Sequence, residues 1–215
     1  MWQLIDSAFP SGGFAHSGGL EAACKHGLVT DDAATLAFVR ASLVQAARQA
    51  LPVVTAVAGD ASRFAEADRR VQAMLLNHVA LRASQTQGRS LLATAKSVWP
   101  GAWTTALTEA VDRGEAHGHL WPVWGAVCAG LGCDVQQARA SLLFCTLRGL
   151  TSAAVRLGLI GPLRAQAIIS ELAAELDTLL DRTLSLTLDD AVATAPILDL
   201  VHANQDRLYS RLFQS

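Results

Sequence analysis

Residues 64–98 read FAEADRRVQAMLLNHVALRASQTQGRSLLATAKSV, the longest helical pattern in the chain. Ala67, Val71, Met74, Leu75, His78 and Leu81 recur at three- and four-residue steps, which puts them on one helix face. Arg63, Asp68, Arg69 and Arg70, being charged, read as its solvated side. Ser62 followed by Glu66 approximates a capping signal ahead of the apolar run. Gly88, between Gln87 and Arg89, costs a helix about 1 kcal/mol relative to alanine. It therefore marks a close crossing, a kink or a break between two helices.

The same periodicity continues on both sides. Toward the N-terminus, Thr30, Asp31 and Asp32 start a helix whose apolar face is Leu36, Val39, Leu43 and Ala47. Pro52 breaks or kinks it, and residues 53–58 carry on as a turn or two. A short helix over about residues 19–26 stops at Gly27. Toward the C-terminus, Trp99-Pro100-Gly101 ends the long run. Helices are predicted over about residues 104–112 and, after a loop at 114–119, from Pro122 to about Gly130. Asp134 caps the next, which passes Leu142, Phe144 and Leu147, bends near residues 149–152 and ends near Leu159. Gly161-Pro162 separates it from an amphipathic stretch over 163–184, with Ile168, Leu172, Leu176 and Leu179 on one face. Asp189-Asp190 reads as a helix start, and Pro196 opens a final helix to about Gln205. No segment alternates with period two long enough for a strand. The expected fold is all-α, a single-domain irregular bundle of roughly eight to ten helices over residues 1–215.

Charged residues make up 17% of the chain, against about 25% in ordinary domains, while hydrophobic residues make up 51%. So few charges imply that some apolar face is covered by another chain. A net charge of −2 gives no reason to expect nucleic acid or an anionic membrane as partner. The N-terminus lacks the basic, apolar and small-residue sequence of a secretory signal. No apolar run reaches the roughly 18 residues of a membrane span. Cys24, Cys128, Cys133 and Cys145 are sparse and irregular, which reads as reduced thiols in a cytoplasmic protein.

Residues 7–21, SAFPSGGFAHSGGLE, hold four of the 16 glycines in eight residues, with Phe9 and Phe14 as aromatic anchors. This is a shaped loop, with Ser17 placed to cap the helix after it and Glu21 in its first turn, where a negative charge suits the helix dipole. No lysine follows these glycines, so the loop lacks the group that meets the phosphates in a P-loop. It reads either as an entry loop packing Phe9 and Phe14 on the core or as a surface for a protein partner.

His16 has no second ligand at fixed spacing and reads as a packing residue. His117-Gly118-His119 is the only close histidine pair, short of a third ligand. Cys128 and Cys133 lack the spacing of a zinc site. No nucleophile elbow appears, and no catalytic, cofactor or metal residue is assigned. Arg148, Thr151, Ser152 and Arg156 bring polar groups into an apolar stretch, as helix-end and solvated positions or as part of an interface. The chain ends LYSRLFQS, residues 208–215, where Leu208, Tyr209, Leu212 and Phe213 mix with Arg211. Such an end either docks on its own core or orders on a partner, where Tyr and Arg are the usual energetic anchors.

Residues 1–20 and 206–215 together carry a resemblance. Asp6-Ser7, Phe9-Pro10, a Gly-Gly-aromatic turn, His16-Ser17, Gly19-Leu20-Glu21 and the ending LYSRLFQS resemble the urease accessory protein F (UreF) family. Gln87-Gly88-Arg89 and Arg148-Gly149-Leu150 match in the middle of the chain. The resemblance implies an all-α homodimer that bridges the accessory protein UreD, also called UreH, and the GTPase UreG. That complex delivers nickel to apo-urease, with nickel as cargo rather than a cofactor of this chain. The residues it implies for partner binding are Phe14, His16, Tyr209, Arg211, Leu212 and Phe213. Many members carry a longer leader ahead of the position of Trp2, and no contact of that leader is carried over. The competing readings are an all-α enzyme assembled from His16, His117, His119 and Asp6, and a direct nickel carrier using His16, His117 and His119.

Overall fold

The computed structural model describes residues 1–215, and every regular element in it is helical. α1 spans Leu20–Lys25, α2 Asp32–Gln49, α3 Leu51–Gly59, α4 Phe64–Met74, α5 His78–Val98 and α6 Ala102–Asp112. α7 spans Leu120–Gly130, α8 Val135–Arg156, α9 Pro162–Glu171, α10 Ala173–Arg182 and α11 Pro196–Ala203. Only the turn residue Leu172 separates α9 from α10, and the helices together form a bundle of the expected kind. No helix is long and apolar enough to cross a membrane.

α3 and α7 form the centre. Their sequences, LPVVTAVAG and LWPVWGAVCAG, are apolar on nearly all sides, as befits helices with neighbours all round. α7 packs between α3 and α5, and α8 closes over α3 and α2. Val53, Val54, Val57, Val123 and Val127 are fully buried there. The face predicted for α2 holds: Val39, Leu43 and Ala47 are buried, and Asp31 caps the helix by accepting from the Ala34 amide at 2.8 Å. Pro52 sits in the first turn of α3, where its missing N–H costs nothing. Asp134 and Gln137 cap α8 reciprocally, and α8 then runs unbroken through Gly149 to Arg156. Asp189 and Asp190 belong to a short 3-10 turn, Leu188–Asp190, rather than to a helix start.

The founding stretch is two helices. The chain leaves α4 at Leu75 and re-enters at α5, where the Asn77 side chain accepts from the amides of Val79 and Ala80. The predicted stripe holds through Ala67, Val71 and Leu75, but His78 lies beyond the break and is exposed. Asp68, read as solvated, is fully buried. Its carboxylate accepts from the amides of His117 and, at 2.7 Å, His119, so it pins the loop that enters α7. Gly88 marks a close crossing. A Cβ there would lie 2.6 Å from the Leu120 amide nitrogen, because this loop passes directly over α5.

Candidate interaction surface at the joined chain ends

The N-terminal loop and the C-terminal tail meet. The Gln214 amide donates to the Ala15 carbonyl at 2.8 Å, and the Ser17 amide donates to the Ser215 carbonyl. Ser17 Oγ donates to that same carbonyl at 2.8 Å and accepts from the Glu21 amide at 3.3 Å. The N-cap of α1 is Gly19, not Ser17 as the sequence implied. Gly19 has φ 86°, a left-handed value that favours glycine, and its missing Cβ lets α1 start against His202 of α11.

Arg156 stitches the two ends. Its guanidinium lies 3.8 Å from the Phe14 ring centroid and 4.1 Å from that of Phe213, and it donates to the Phe14 carbonyl. Stacking of arginine on aromatic faces is worth about 0.5–1 kcal/mol per ring where solvent has access. Arg148 likewise donates to the Ile5 carbonyl and stands over Phe144. The polar residues of α8 thus tie down the N-terminal segment, while Thr151 satisfies itself on the carbonyls of Leu147 and Arg148.

The outer face of this junction is mixed. Phe14 is 74% exposed, Leu212 is 53% exposed and Tyr209 stands fully in solvent. Arg211 and Arg82 both pair with Asp206 at 2.8 Å, and His78 approaches the same carboxylate at 3.3 Å. A shallow groove runs between Phe14, Arg82, Arg156, Arg211 and Leu212. Phe213 is buried, so it anchors the tail instead of facing outward. His16 is half-buried behind Phe14, its Nδ1 2.6 Å from Ser215 Oγ. Behind the junction lies a cavity of about 750 Å³, lined by Phe9, His16, Trp124, Arg148, His202 and Phe213 among others.

Three histidines are held neutral. Burial, with a contribution from Arg82, lowers His16 from the ordinary 6.5 to about 4. Burial, reinforced by His16 and Arg82, takes His202 to about 4. Burial also takes His119 to about 4, against the opposing pull of Asp68. The unfolded chain binds protons at these sites near 6.5 and the folded chain only near 4, so their stability is complete above 6.5 and is lost as pH falls toward 4. Fully buried His119 accounts for about 2 kcal/mol of loss by about pH 5, and the partly wetted His16 and His202 for less. A melting temperature roughly 5–10 °C lower at about pH 5 than at about pH 7.5 is expected. An unchanged value would contradict neutral burial of these rings.

The residues of the competing readings are not assembled into a site. His119 has both ring nitrogens engaged, Nδ1 with Ser84 Oγ at 3.1 Å and Nε2 with Gln72 Oε1 at 2.9 Å. His117 lies beside it, while His16 is bound to the tail. Asp6 is exposed and accepts from the Ala8 amide. No three His, Cys, Asp or Glu side chains are grouped so as to share a metal ion. All four cysteines are free thiols, and burial pushes Cys128 up to about 12 and Cys145 up to about 11.

Fold and surface together define a class: an all-helical bundle whose two chain ends build one face of aromatic and arginine side chains. Known proteins narrow this further. The model of the UreF family matches residues 29–173. Urease accessory protein F of Arabidopsis thaliana is 34% identical over 218 residues, which is 100% of this chain and 91% of that protein. The protein of that name from Oryza sativa subsp. japonica is 33% identical over 99% of this chain and 83% of its own length. Urease accessory protein UreF of Arthrobacter sp. (strain FB24) is 30% identical over 99% and 95%. The chain belongs to the UreF family.

Proposed function

We propose that this chain is a cytoplasmic, non-catalytic urease accessory protein that acts as a homodimer in urease maturation. It bridges UreD/UreH and the GTPase UreG in the complex that delivers nickel to apo-urease, and it influences the GTPase cycle of UreG. Nickel is the cargo of that complex and not a resident ion of this chain.

The observation that carries the reading is the junction of the chain ends. Phe14, Arg211 and Leu212 stand exposed along one groove, with Phe213 and Arg156 packed at its base, and Tyr209 is exposed earlier in the same tail. Exposed aromatic and arginine side chains on a fixed backbone are what protein recognition uses, because their contact area comes at low entropic cost. The nickel-carrier reading has less behind it, since both His119 nitrogens already have partners within the chain.

Size-exclusion chromatography with UreD/UreH and UreG from the same source tests the proposal. Co-elution of all three is expected. A chain that elutes alone, yet binds nickel stoichiometrically through His117 and His119, would overturn it.

A further inference from the structure

Glu21 sits in the first turn of α1 and is 1% exposed. A carboxylate removed from water must be paired or hydrogen-bonded. Its partners are not local. Oε1 accepts from the Leu212 amide at 2.6 Å, and Oε2 accepts from the Phe213 amide at 3.0 Å. Oε2 also accepts from Gln205 Nε2 at 2.6 Å. Gln205 is itself fully buried, and it donates to the Phe213 carbonyl at 3.2 Å as well. One carboxylate on the first helix therefore gathers three donors from the last eleven residues of the chain.

The tail needs such a holder. After Arg207 it forms no helix or strand, and the two backbone hydrogen bonds that join it to the N-terminal loop hold only Gln214 and Ser215. Chain ends of that kind fray unless tied down. The position of Glu21 is itself set by its surroundings. Gly19 lets α1 begin hard against α11, and Ser17 Oγ takes the Glu21 amide.

We infer that Glu21 is the latch of the C-terminal tail: its buried carboxylate sets the register in which Arg211 and Leu212 are presented beside Phe14. Its consequence for partner binding rests on the function proposed above. The latch itself rests on the geometry alone. Glu21 is thus a positioning residue, acting through the tail and touching no partner.

The replacement Glu21→Gln separates shape from chemistry. It keeps the volume but puts an NH2 where one of the three donors needs an acceptor. Glu21→Asp keeps the carboxylate one carbon short. Hydrogen–deuterium exchange on the full chain, resolved for the tail and for α3 and α7, reads the effect. In the unaltered chain the Leu212 and Phe213 amides are expected to be protected. In Glu21→Gln they exchange at least about tenfold faster, as loss of a charge-assisted hydrogen bond implies. Amides of α3 and α7 keep their rates, and Glu21→Asp restores part of the tail protection. Unprotected tail amides in the unaltered chain would overturn the latch. So would full protection in Glu21→Gln, or acceleration of core and tail alike.

UreG binding by the same variants tells the two ideas apart. A freed tail with unchanged binding leaves the latch standing and overturns the tail as partner surface. Lost binding with the tail still protected leaves the surface standing and overturns Glu21 as its positioning residue.

Discussion

Gly88→Ala is expected to destabilise the chain by about 2–3 kcal/mol, lowering its melting temperature by roughly 5–10 °C. Two effects oppose each other. Alanine in a helix interior is favoured over glycine by about 1 kcal/mol. Against this, the new Cβ would fall inside contact distance of the Gly118 carbonyl oxygen, the His119 carbonyl carbon and the Leu120 amide nitrogen. These are backbone atoms of a loop already pinned by Asp68, so no side chain can swing aside. The loop must lift from α5, and the steric cost exceeds the propensity gain. Gly149→Ala supplies the opposite sign. Nothing lies within 4 Å of a Cβ there, so propensity acts alone and a gain of about 0.5–1 kcal/mol follows. Thermal melts of both variants check this, and equal shifts in the two would contradict the close crossing.

Asp68→Ala should cost about 3 kcal/mol. The substitution leaves the amides of His117 and His119 without acceptors in a buried loop. Each unsatisfied buried donor costs about 1–3 kcal/mol. Asp68→Asn should lose most of the same amount, since its NH2 cannot accept from the second amide. The neighbouring Arg69 and Arg70 are exposed, and alanine at either should shift stability by no more than about 0.5 kcal/mol. Urea unfolding at constant m-value measures all of these. A change at Asp68 as small as at Arg69 would show that the loop is not held by the carboxylate.

These positions also mark where the sequence stopped being readable. The apolar face of α2, the stop at Gly161-Pro162 and the cap at Asp134 depend on neighbours within a turn or two, and local periodicity reports them. The break between α4 and α5 was hidden because Met74, Leu75, Leu76 and Val79 continue the apolar run across it. Asn77, a good N-cap residue, was the available signal. Asp68 lies three residues before Val71 and seven before Leu75, on the edge of the apolar stripe, so it read as solvated from its charge and not from its spacing; the amides it serves belong to a loop about fifty residues on. Glu21 reads correctly as a first-turn acid, yet three of its hydrogen bonds go to residues beyond 200. The apolar, arginine-bearing character of the tail was legible from composition. That Phe213 turns inward was not, because nothing local places Arg156 over its ring.

The most direct test of the bridging account is gel-filtration of the chain, intact and cut after Gln205, with UreD/UreH and UreG from the same source. Arg211→Glu serves as a variant that keeps the whole tail. The account predicts a ternary complex with the intact chain, loss of UreG from it on truncation, and weakened UreG binding in Arg211→Glu. A complete ternary complex formed equally well by all three chains would contradict the joined chain ends as the partner surface.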